Sequence, residues 1–326
     1  MLTDNYNRTH NYLRISLTDA CNFRCTYCMP NEDMLFTPAQ HLMQTHEIIK
    51  LAHFFVQQGI DKIRLTGGEP LIRKDFDAIV TALSKLGITL TLTTNARLLH
   101  HHLFHLINSG VKSINISLDT LKPDRFLKIT RRNDFEKVKA NIFLCLEQAI
   151  RVKINVVLMH GINDDEILDF IRLTKHHPLH VRFIEFMPFD GNQWQADKVI
   201  THYEIIAKAQ QTFDIIKMKD AVNDTSKKYI VPGHAGTFAV ISTMSEPFCN
   251  SCNRLRLTAD GKMKNCLFSN GEVNLLQALR NGQDLLPIIK LCVQQKAKAL
   301  GGQFLPEIKN VDATKISNRS MIKIGG

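Results

Sequence analysis

The stretch "DACNFRCTYCMP", residues 19–30, follows a short β-like run and carries Cys21, Cys25 and Cys28. A structural zinc site takes four ligands, whereas cysteine thiolates also hold iron–sulfur clusters. Three thiolates on a [4Fe–4S] cluster leave one iron without a protein ligand, and that iron can bind another molecule. The spacing therefore favours an open iron–sulfur site at the end of the first strand over a closed zinc knuckle.

The first 190 residues alternate short strands with helical stretches, several of which end in glycine. This repetition predicts parallel strands joined by right-handed crossovers. The expected fold class is α/β, a partial (βα)6 TIM-type barrel whose ligand site lies at the carboxyl ends of the strands. The periodic pattern stops beyond Gly191. We therefore expect a partial barrel over residues 1–190 and a smaller C-terminal domain over residues 191–326 that closes the open side.

Polar residues recur at every second position of five predicted strands, so they share one face of each strand. They are Arg14 and Ser16; Lys62, Arg64 and Thr66; Thr91 and Thr93; Asn115, Ser117 and Asp119; and Lys153 and Asn155. A dry barrel centre would leave such charges unpaired. We therefore predict a wet interior in which Arg14, Arg64, Lys153 and Arg182 suit a strongly anionic ligand. Inter-strand ion pairs or outward surface charges are the alternative for any single position.

A second group of cysteines lies in the C-terminal part, at Cys249, Cys252 and Cys266. A hairpin turn at Asp260-Gly261 is predicted to fold Cys266 back toward the other two. This group again offers three thiols, so a second open cluster is expected; a Cys3His zinc site that includes His234 is the alternative. The remaining cysteines, Cys145 and Cys292, occupy apolar helical stretches and are expected in the core.

The composition indicates a globular protein with 44% hydrophobic residues, a net charge of +10 and a pI of about 9.2. The polar start shows no signal-peptide core, and no apolar run reaches the roughly 20 residues that span a bilayer. A cytoplasmic location is expected. The positive charge permits a nucleic acid, an anionic lipid or a polyphosphate as ligand. The pair His101 and His105 has helical ligand spacing, but no carboxylate or cysteine accompanies it, so a solvated helix start is expected.

The motifs resemble those of a known superfamily. "CNFRCTYC" at 21–28 resembles the cluster motif of radical S-adenosylmethionine (SAM) enzymes, and "LTGGEPL" at 65–71 resembles their second motif, whose backbone oxygens meet the SAM amino group. Together with "VRFIEFMP" at 181–188, the second cysteine group and the terminal Gly325-Gly326, the set is similar to the GTP 3′,8-cyclase family of molybdenum-cofactor biosynthesis.

The resemblance implies two [4Fe–4S] clusters, held by Cys21, Cys25 and Cys28 and by Cys249, Cys252 and Cys266. It implies SAM contacts from Tyr27, Gly68, Ser117 and Met187. It implies GTP contacts from Arg14, Arg64, Thr93, Lys153, Arg254, Leu255 and Arg256, and Lys62 and Arg182 fit the same pattern. It also implies that a flexible diglycine tail enters the site.

The activity implied by the resemblance is the radical cyclisation of GTP, the first step of molybdenum-cofactor biosynthesis. The implied partners are an electron-donor protein of unknown identity and, through the product, cyclic pyranopterin monophosphate synthase. A homodimer is one option, and neither a nucleic acid nor a membrane is expected. Two alternatives stay open at this point: another two-cluster radical SAM enzyme that modifies a peptide, and a zinc module that binds nucleic acid through a basic surface. An aromatic content of 7% speaks against the second.

Overall fold

The computed structural model describes residues 1–30, 34–304, 311 and 315–325. The strands in this part of the chain are β1 (Leu2–Thr3), β2 (Thr9–His10), β3 (Tyr12–Ser16), β4 (Lys62–Thr66), β5 (Thr89–Thr94), β6 (Ser113–Ser117), β7 (Arg151–Leu158), β8 (His180–Glu185), β9 (Ile216–Lys217), β10 (Lys227–Ile230), β11 (Thr237–Ile241), β12 (Arg254–Leu257), β13 (Lys262–Lys264) and β14 (Val273–Asn274). The α-helices are α1 (Thr45–Gln57), α2 (Phe76–Ser84), α3 (Leu99–Asn108), α4 (Pro123–Thr130), α5 (Phe135–Glu147), α6 (Ile167–Leu173), α7 (His202–Gln210), α8 (Leu275–Arg280), α9 (Leu285–Gln294) and α10 (Met321–Ile324).

Twelve strands form one mixed sheet in the order β14-β13-β12-β3-β4-β5-β6-β7-β8-β11-β10-β9. Its centre, β3 to β8, is parallel and follows the chain order without exception. A helix precedes each of the strands β4 to β8, as the alternation in the sequence predicts. The α/β class is therefore confirmed. Within the described residues the sheet is open, with β14 and β9 as its edges.

The central strands bury one face against the helices. Leu13 pairs with Ile63 and Ile15 with Leu65 across β3 and β4, and all four side chains are almost completely buried. Side chains alternate along a strand, so the polar residues between them are placed on the opposite face. The sequence pattern thus determines which face of the sheet is free to build a site.

The helices follow from their apolar spacing. In α1, Ile48, Leu51, Ala52 and Phe55 recur at intervals of three and four residues, and all are buried. The helix ends just before Gly59, whose φ of +100° suits glycine far better than other residues. The same packing buries Cys145 in α5 and Cys292 in α9, so the prediction that these two cysteines lie in the core is confirmed.

The C-terminal part adds strands to both edges of the parallel sheet. β11 pairs in parallel with β8, and β12 pairs in parallel with β3. β12 and β13 form the predicted hairpin, and Gly261 in its turn has a φ of +69° and lies against Leu276. Hydrogen bonding of the sheet therefore continues across residue 190; the division into two domains stays a prediction. Among the residues described, no helix has the length and apolar character needed to cross a bilayer.

Candidate active site

The polar face of the central sheet and both cysteine groups open into one cavity of about 600 Å³. Six cysteines line it: Cys21, Cys25 and Cys28 on one side, and Cys249, Cys252 and Cys266 on the other. Cavities of this size hold small-molecule ligands. The placement of six thiols around one cavity, which the sequence could only suggest, is thus observed.

The first cysteine group sits on a tight loop after β3. The amides of Cys28 and Met29 both donate to the Cys25 carbonyl, at 3.0 and 2.8 Å. The loop is anchored to the end of α4, because the Arg24 amide donates to the Thr130 carbonyl at 3.0 Å. Backbone hydrogen bonds from both sides therefore fix the positions from which the thiols project.

The "GGEP" segment packs directly against the residues that connect β3 to this loop. The Gly68 amide donates to the Thr18 carbonyl at 2.7 Å, and the Glu69 amide donates to the Ala20 carbonyl at 2.9 Å. A Cβ on Gly68 would lie 2.3 Å from the Ala20 carbonyl oxygen, which no real side chain tolerates. Glycine is required here because two backbones approach each other, whatever the ligand.

Glu69 connects this segment to the next strand. Its buried carboxylate accepts from the Asn95 amide and the Thr94 hydroxyl, both at 2.7 Å, and from the Leu71 amide at 3.0 Å. Burial nevertheless raises the pKa of Glu69 to about 7. Sequence analysis assigned no role to Glu69, although its position inside the glycine motif offered a signal.

Acidic groups surround the first cysteine group. Burial, and then the Glu69 carboxylate, raise the pKa of Cys21 to about 12. Burial and the neighbouring Cys28 and Asp119 raise the pKa of Cys25 well above its ordinary value. The Asp119 carboxylate also accepts from the Tyr27 hydroxyl at 2.7 Å. These surroundings disfavour free thiolates, so bound cluster iron would supply the positive charge that stabilises them.

Cationic groups surround the second cysteine group. The ammonium of Lys296 lies 3.4 Å from the Cys252 sulfur, and the Arg254 guanidinium lies 3.8 Å from it. Burial alone would raise the pKa of this thiol, but the two cations outweigh burial and lower it to about 6. The Leu300 amide donates to the Cys249 sulfur at 3.4 Å. This environment stabilises the Cys252 thiolate, whereas burial raises the pKa of Cys249.

The donor sets fit iron–sulfur clusters better than zinc. N–H groups point at cysteine sulfur in both groups, as they do around clusters. Among the described residues no three Cys, His, Asp or Glu side chains converge on the position of a single metal ion. His234 does not line the cavity; its imidazole is hydrogen-bonded to the Thr174 hydroxyl at 2.9 Å and packs on Phe213. The Cys3His alternative is therefore wrong for this fold.

Buried cations crowd the cavity wall between the two cysteine groups. Burial, together with neighbouring cations, lowers the pKa of Arg14 to about 10, of Lys153 to about 8 and of Arg182 to about 9. The pKa of Arg256 is lowered well below its ordinary value for the same reasons. Packing like charges together costs free energy that an anionic ligand recovers. The predicted cationic interior is confirmed, and its residues are suited to a polyphosphate.

The predicted site residues are mostly brought together in this cavity. Its lining includes Tyr27, Gly68, Ser117, Met187, Arg14, Lys62, Arg64, Thr93, Lys153, Arg182, Arg254 and Arg256. Leu255 differs: it lies between two cavity-facing arginines on β12, so alternation turns its side chain into the hydrophobic core, where it is completely buried. Of Leu255 only the backbone can reach a ligand in this cavity, and its contact with GTP stays a prediction.

Tyr12 is a cavity residue that sequence analysis missed. Its hydroxyl bonds to the guanidinium groups of Arg64 and Arg14, and the Lys62 ammonium lies 4.8 Å above its ring centre. Burial would raise the pKa of Tyr12, but these three cations lower it to about 7. The signal was present, because Tyr12 stands two residues before Arg14 on the same face of β3.

The chain terminus also approaches the cavity. The Arg256 guanidinium donates to the Gly325 carbonyl at 2.8 Å. Gly325 has a φ of +79°, and a Cβ there would lie 2.8 Å from the Cβ of Ser16. Gly326 lies outside the described residues, so the entry of the diglycine tail into the site stays a prediction.

The histidine pair at 101 and 105 belongs to the surface of α3. His105 is hydrogen-bonded to the Thr81 hydroxyl at 3.1 Å, and the His101 ring lies 3.9 Å from that of His100. Neither residue lines the cavity. The expectation of a solvated helix start is confirmed.

Comparison with family models gives two adjacent matches. Residues 15–174 match the Radical SAM superfamily, and residues 179–301 match Molybdenum Cofactor Synthesis C. The boundary between the matches lies just before β8.

Two relatives in particular match essentially the whole chain. The mitochondrial GTP 3′,8-cyclase of Arabidopsis thaliana is 46% identical over 333 residues, which cover 100% of this chain and 84% of that protein. The GTP 3′,8-cyclase of Alkaliphilus oremlandii is 40% identical, with 100% of both chains covered. Human molybdenum cofactor biosynthesis protein 1 is 47% identical, but this chain spans only 51% of its length.

Among solved structures, Streptococcus suis SuiB bound to S-adenosylmethionine superposes with a TM-score of 0.56 at 17% identity, covering 86% of this chain and 65% of that one. At this level of identity the likeness concerns the fold alone.

Proposed function

Because this chain belongs to the GTP 3′,8-cyclase family of radical SAM proteins, we propose that it converts GTP to (8S)-3′,8-cyclo-7,8-dihydroguanosine 5′-triphosphate, the first step of molybdenum-cofactor biosynthesis. When bound, the clusters and SAM would supply the electrons and the radical that remove hydrogen from C3′ of the ribose and allow a bond between C3′ and C8. The protein's part in this reaction is to bind, orient and shield the reactants.

The first group of residues would hold the cluster that binds SAM. Cys21, Cys25 and Cys28 offer three thiols and leave one iron position open. Tyr27 and Gly68 border the same part of the cavity, and the aspartate bonded to Tyr27 fixes the orientation of its ring. This arrangement supports SAM binding beside the open iron position.

The second group would hold the cluster that contacts the guanine base. Cys249, Cys252 and Cys266 lie across the cavity from the first group and again leave one iron position open. The cationic wall lies between the two groups, so a triphosphate bound there would place the ribose between the SAM site and the base site. Holding C3′ close to the radical source is where such a cavity contributes most to the rate.

One observation carries the choice of substrate class: the buried, like-charged wall that includes Arg14, Lys153 and Arg182. A peptide substrate, the alternative among two-cluster enzymes, does not generally bring enough negative charge to neutralise this wall. A nucleoside triphosphate brings about four charges at one end and an uncharged base at the other. The superposition on SuiB does not favour a peptide, since it reports only the shared fold.

The proposal also includes the domain arrangement, the cellular location and the partners of the protein. The six parallel strands β3 to β8 would form a partial barrel, and residues 191–326 its C-terminal domain, because both groups of residues line one cavity. The protein would work in the cytoplasm, receive electrons from a small donor protein and hand its product to cyclic pyranopterin monophosphate synthase.

The test is formation of 5′-deoxyadenosine by the anaerobically reconstituted protein, with SAM and a reductant, in the presence of GTP, ATP or no nucleotide. We expect GTP to raise the yield strongly and ATP to have little effect, and mass spectrometry with chromatography should find a new product that is isomeric with GTP, because one hydrogen leaves C3′ and one electron and one proton are added. SAM cleavage that ignores GTP would contradict the substrate assignment while leaving the first cluster in place. No 5′-deoxyadenosine from iron-loaded protein would contradict both.

A further inference from the structure

Lys296 is a buried cation that no motif in the sequence identifies. It follows the end of α9, its residue is only 3% exposed, and its amide donates to the Val293 carbonyl at 3.1 Å. A lysine is almost never this buried unless something offsets its charge. The partner of its ammonium therefore indicates what the residue is for.

Within residues 1–30, 34–304, 311 and 315–325, the ammonium has two polar contacts, and neither is a carboxylate. It donates to the Arg254 carbonyl at 2.9 Å and lies 3.4 Å from the Cys252 sulfur. Among the ion pairs of the residues described, none includes Lys296. The nearby carboxylate of Asp4 is already paired with Arg8 at 2.7 Å and His10 at 3.0 Å. The negative charge that offsets Lys296 must come from the cysteine sulfurs, of which Cys266 is also close enough to act on it.

We propose that Lys296 is a positioning residue of the second iron–sulfur cluster, whose ammonium donates an N–H···S hydrogen bond to Cys252 and raises the reduction potential of that cluster. The inference rests on the proposed function, because it requires a cluster at the second cysteine group. Reduction adds one electron to the cluster and no proton, so the net negative charge of cluster and thiolates grows by one. A fixed positive charge 3.4 Å from a ligand sulfur stabilises the reduced form more than the oxidised form.

The first cysteine group provides the internal contrast. The hydrogen-bond donors to the Cys21 sulfur are uncharged: the Phe23 amide at 3.4 Å and the Asn95 side-chain amide at 3.8 Å. The charged groups that act most strongly on the thiols of this loop, Glu69 and Asp119, are acidic and oppose the addition of an electron. The effect of Lys296 is therefore expected only at the second cluster.

The test uses the full chain with its first three cysteines replaced by alanine, so that only the second cluster titrates. Its reduction potential is measured by dithionite titration with electron paramagnetic resonance detection, together with iron content. In this background Lys296→Met should lower the equilibrium constant for reduction at least tenfold, about 59 mV for one electron. Lys296→Arg should restore most of it. The matched control is Lys290→Met, which removes an exposed lysine of α9.

Each outcome decides the question. A potential in Lys296→Met equal to that of its parent, with iron content unchanged, overturns the proposal. If Lys296→Met does not retain iron, Lys296→Gln keeps an N–H donor without the charge, on a side chain one atom shorter, and is held to the same criterion. If neither variant retains iron but Lys296→Arg does, the positive charge is needed to hold the cluster, which supports the proposal. If Lys296→Arg also loses iron and its circular dichroism spectrum is altered, Lys296 serves packing instead. A parent without iron would instead contradict the proposed second cluster.

Discussion

The two cysteine groups face the same cavity from opposite electrostatic surroundings. The first lies beside Glu69 and Asp119, and its thiols have raised pKa values. The second lies beside Arg254 and Lys296, and the pKa of Cys252 is lowered to about 6, although burial raises the pKa of Cys249. Similar ligand sets can therefore hold clusters of different character, because the neighbouring charges and not the cysteines set the potential.

This difference matches the proposed division of labour. A cluster that must pass an electron to SAM needs a low potential, and acidic neighbours provide it. A cluster that contacts a polyanionic nucleotide benefits from cationic neighbours, which also attract the substrate. The cationic wall continues from Arg254 through Arg14 to Arg182, so the electrostatic gradient runs along the cavity.

The largest expected effect separates the two cysteine groups. Cys28→Ala should abolish 5′-deoxyadenosine formation, because SAM loses the cluster that reduces it. Cys252→Ala should still cleave SAM slowly, but GTP should no longer raise the yield and no cyclised product should form. Each variant should lose the iron of one cluster only. Equal behaviour of the two variants in this assay would break the division of labour.

A smaller effect is expected when an acidic neighbour of the first cysteine group is removed. The pKa of Asp119 is raised by burial to about 6, so the carboxylate is charged at pH 8. Asp119→Asn removes that charge and leaves a single oxygen to accept from both Tyr27 and the Val157 amide. We expect the potential of the first cluster to rise and SAM cleavage to slow by roughly tenfold, the equivalent of about 1.4 kcal/mol.

The matched control for that change is Asp124→Asn, on the exposed side of α4. It removes the same charge at the surface, so the potential of the first cluster should stay at its original value. If Asp119→Asn also leaves the potential unchanged, the acidic neighbours do not set it, and the contrast with the second cluster loses its electrostatic explanation.

Tyr12→Phe tests the wall between the clusters. Phenylalanine keeps the ring below the Lys62 ammonium but removes the hydroxyl that orients Arg64 and Arg14. One such hydrogen bond contributes about 1 kcal/mol, so KM for GTP should rise roughly fivefold while kcat changes little. Tyr203→Phe, at an 80% exposed site on α7, is the control. A change confined to kcat would place Tyr12 in the chemical step instead of substrate binding.

A site residue could be predicted from the sequence where a local pattern determines its position, and could not where tertiary packing does. The alternation of β3, β4 and β7 placed Arg14, Arg64 and Lys153 on one face without any structure. Leu255 was assigned from a motif, and the same alternation leaves only its backbone to contact a ligand. Lys296 could not have been found at all: nothing in "LCVQQKAKAL" distinguishes it from a surface lysine, and its contact with Cys252 depends on how α9 packs against the hairpin.

The smallest expected effect is a change in the pKa of His10, which reports on the charge of Lys296. Burial, and then the Lys296 ammonium, lower the pKa of His10 to about 4. His10 is completely buried and bonded to Asp4 at 3.0 Å. A depressed pKa means that the fold favours the neutral imidazole. The contribution of His10 to stability is therefore complete above pH 6.5 and is lost as the pH falls from 6.5 to about 4, by about 3 kcal/mol.

Lys296→Met removes one of the two main causes and leaves burial in place. The pKa of His10 should then rise but stay below 6.5. The stability that is lost as the pH falls from 6.5 to 4 should therefore be smaller by about 1 kcal/mol. The measurement is the pH titration of carbon-13-labelled histidines in the cluster-free chain, with His10 identified through His10→Gln, and Lys290→Met as the control. An unchanged pKa would mean that the Lys296 charge is already neutralised without a cluster. In that case the cationic character of the second cysteine group would rest on Arg254 alone.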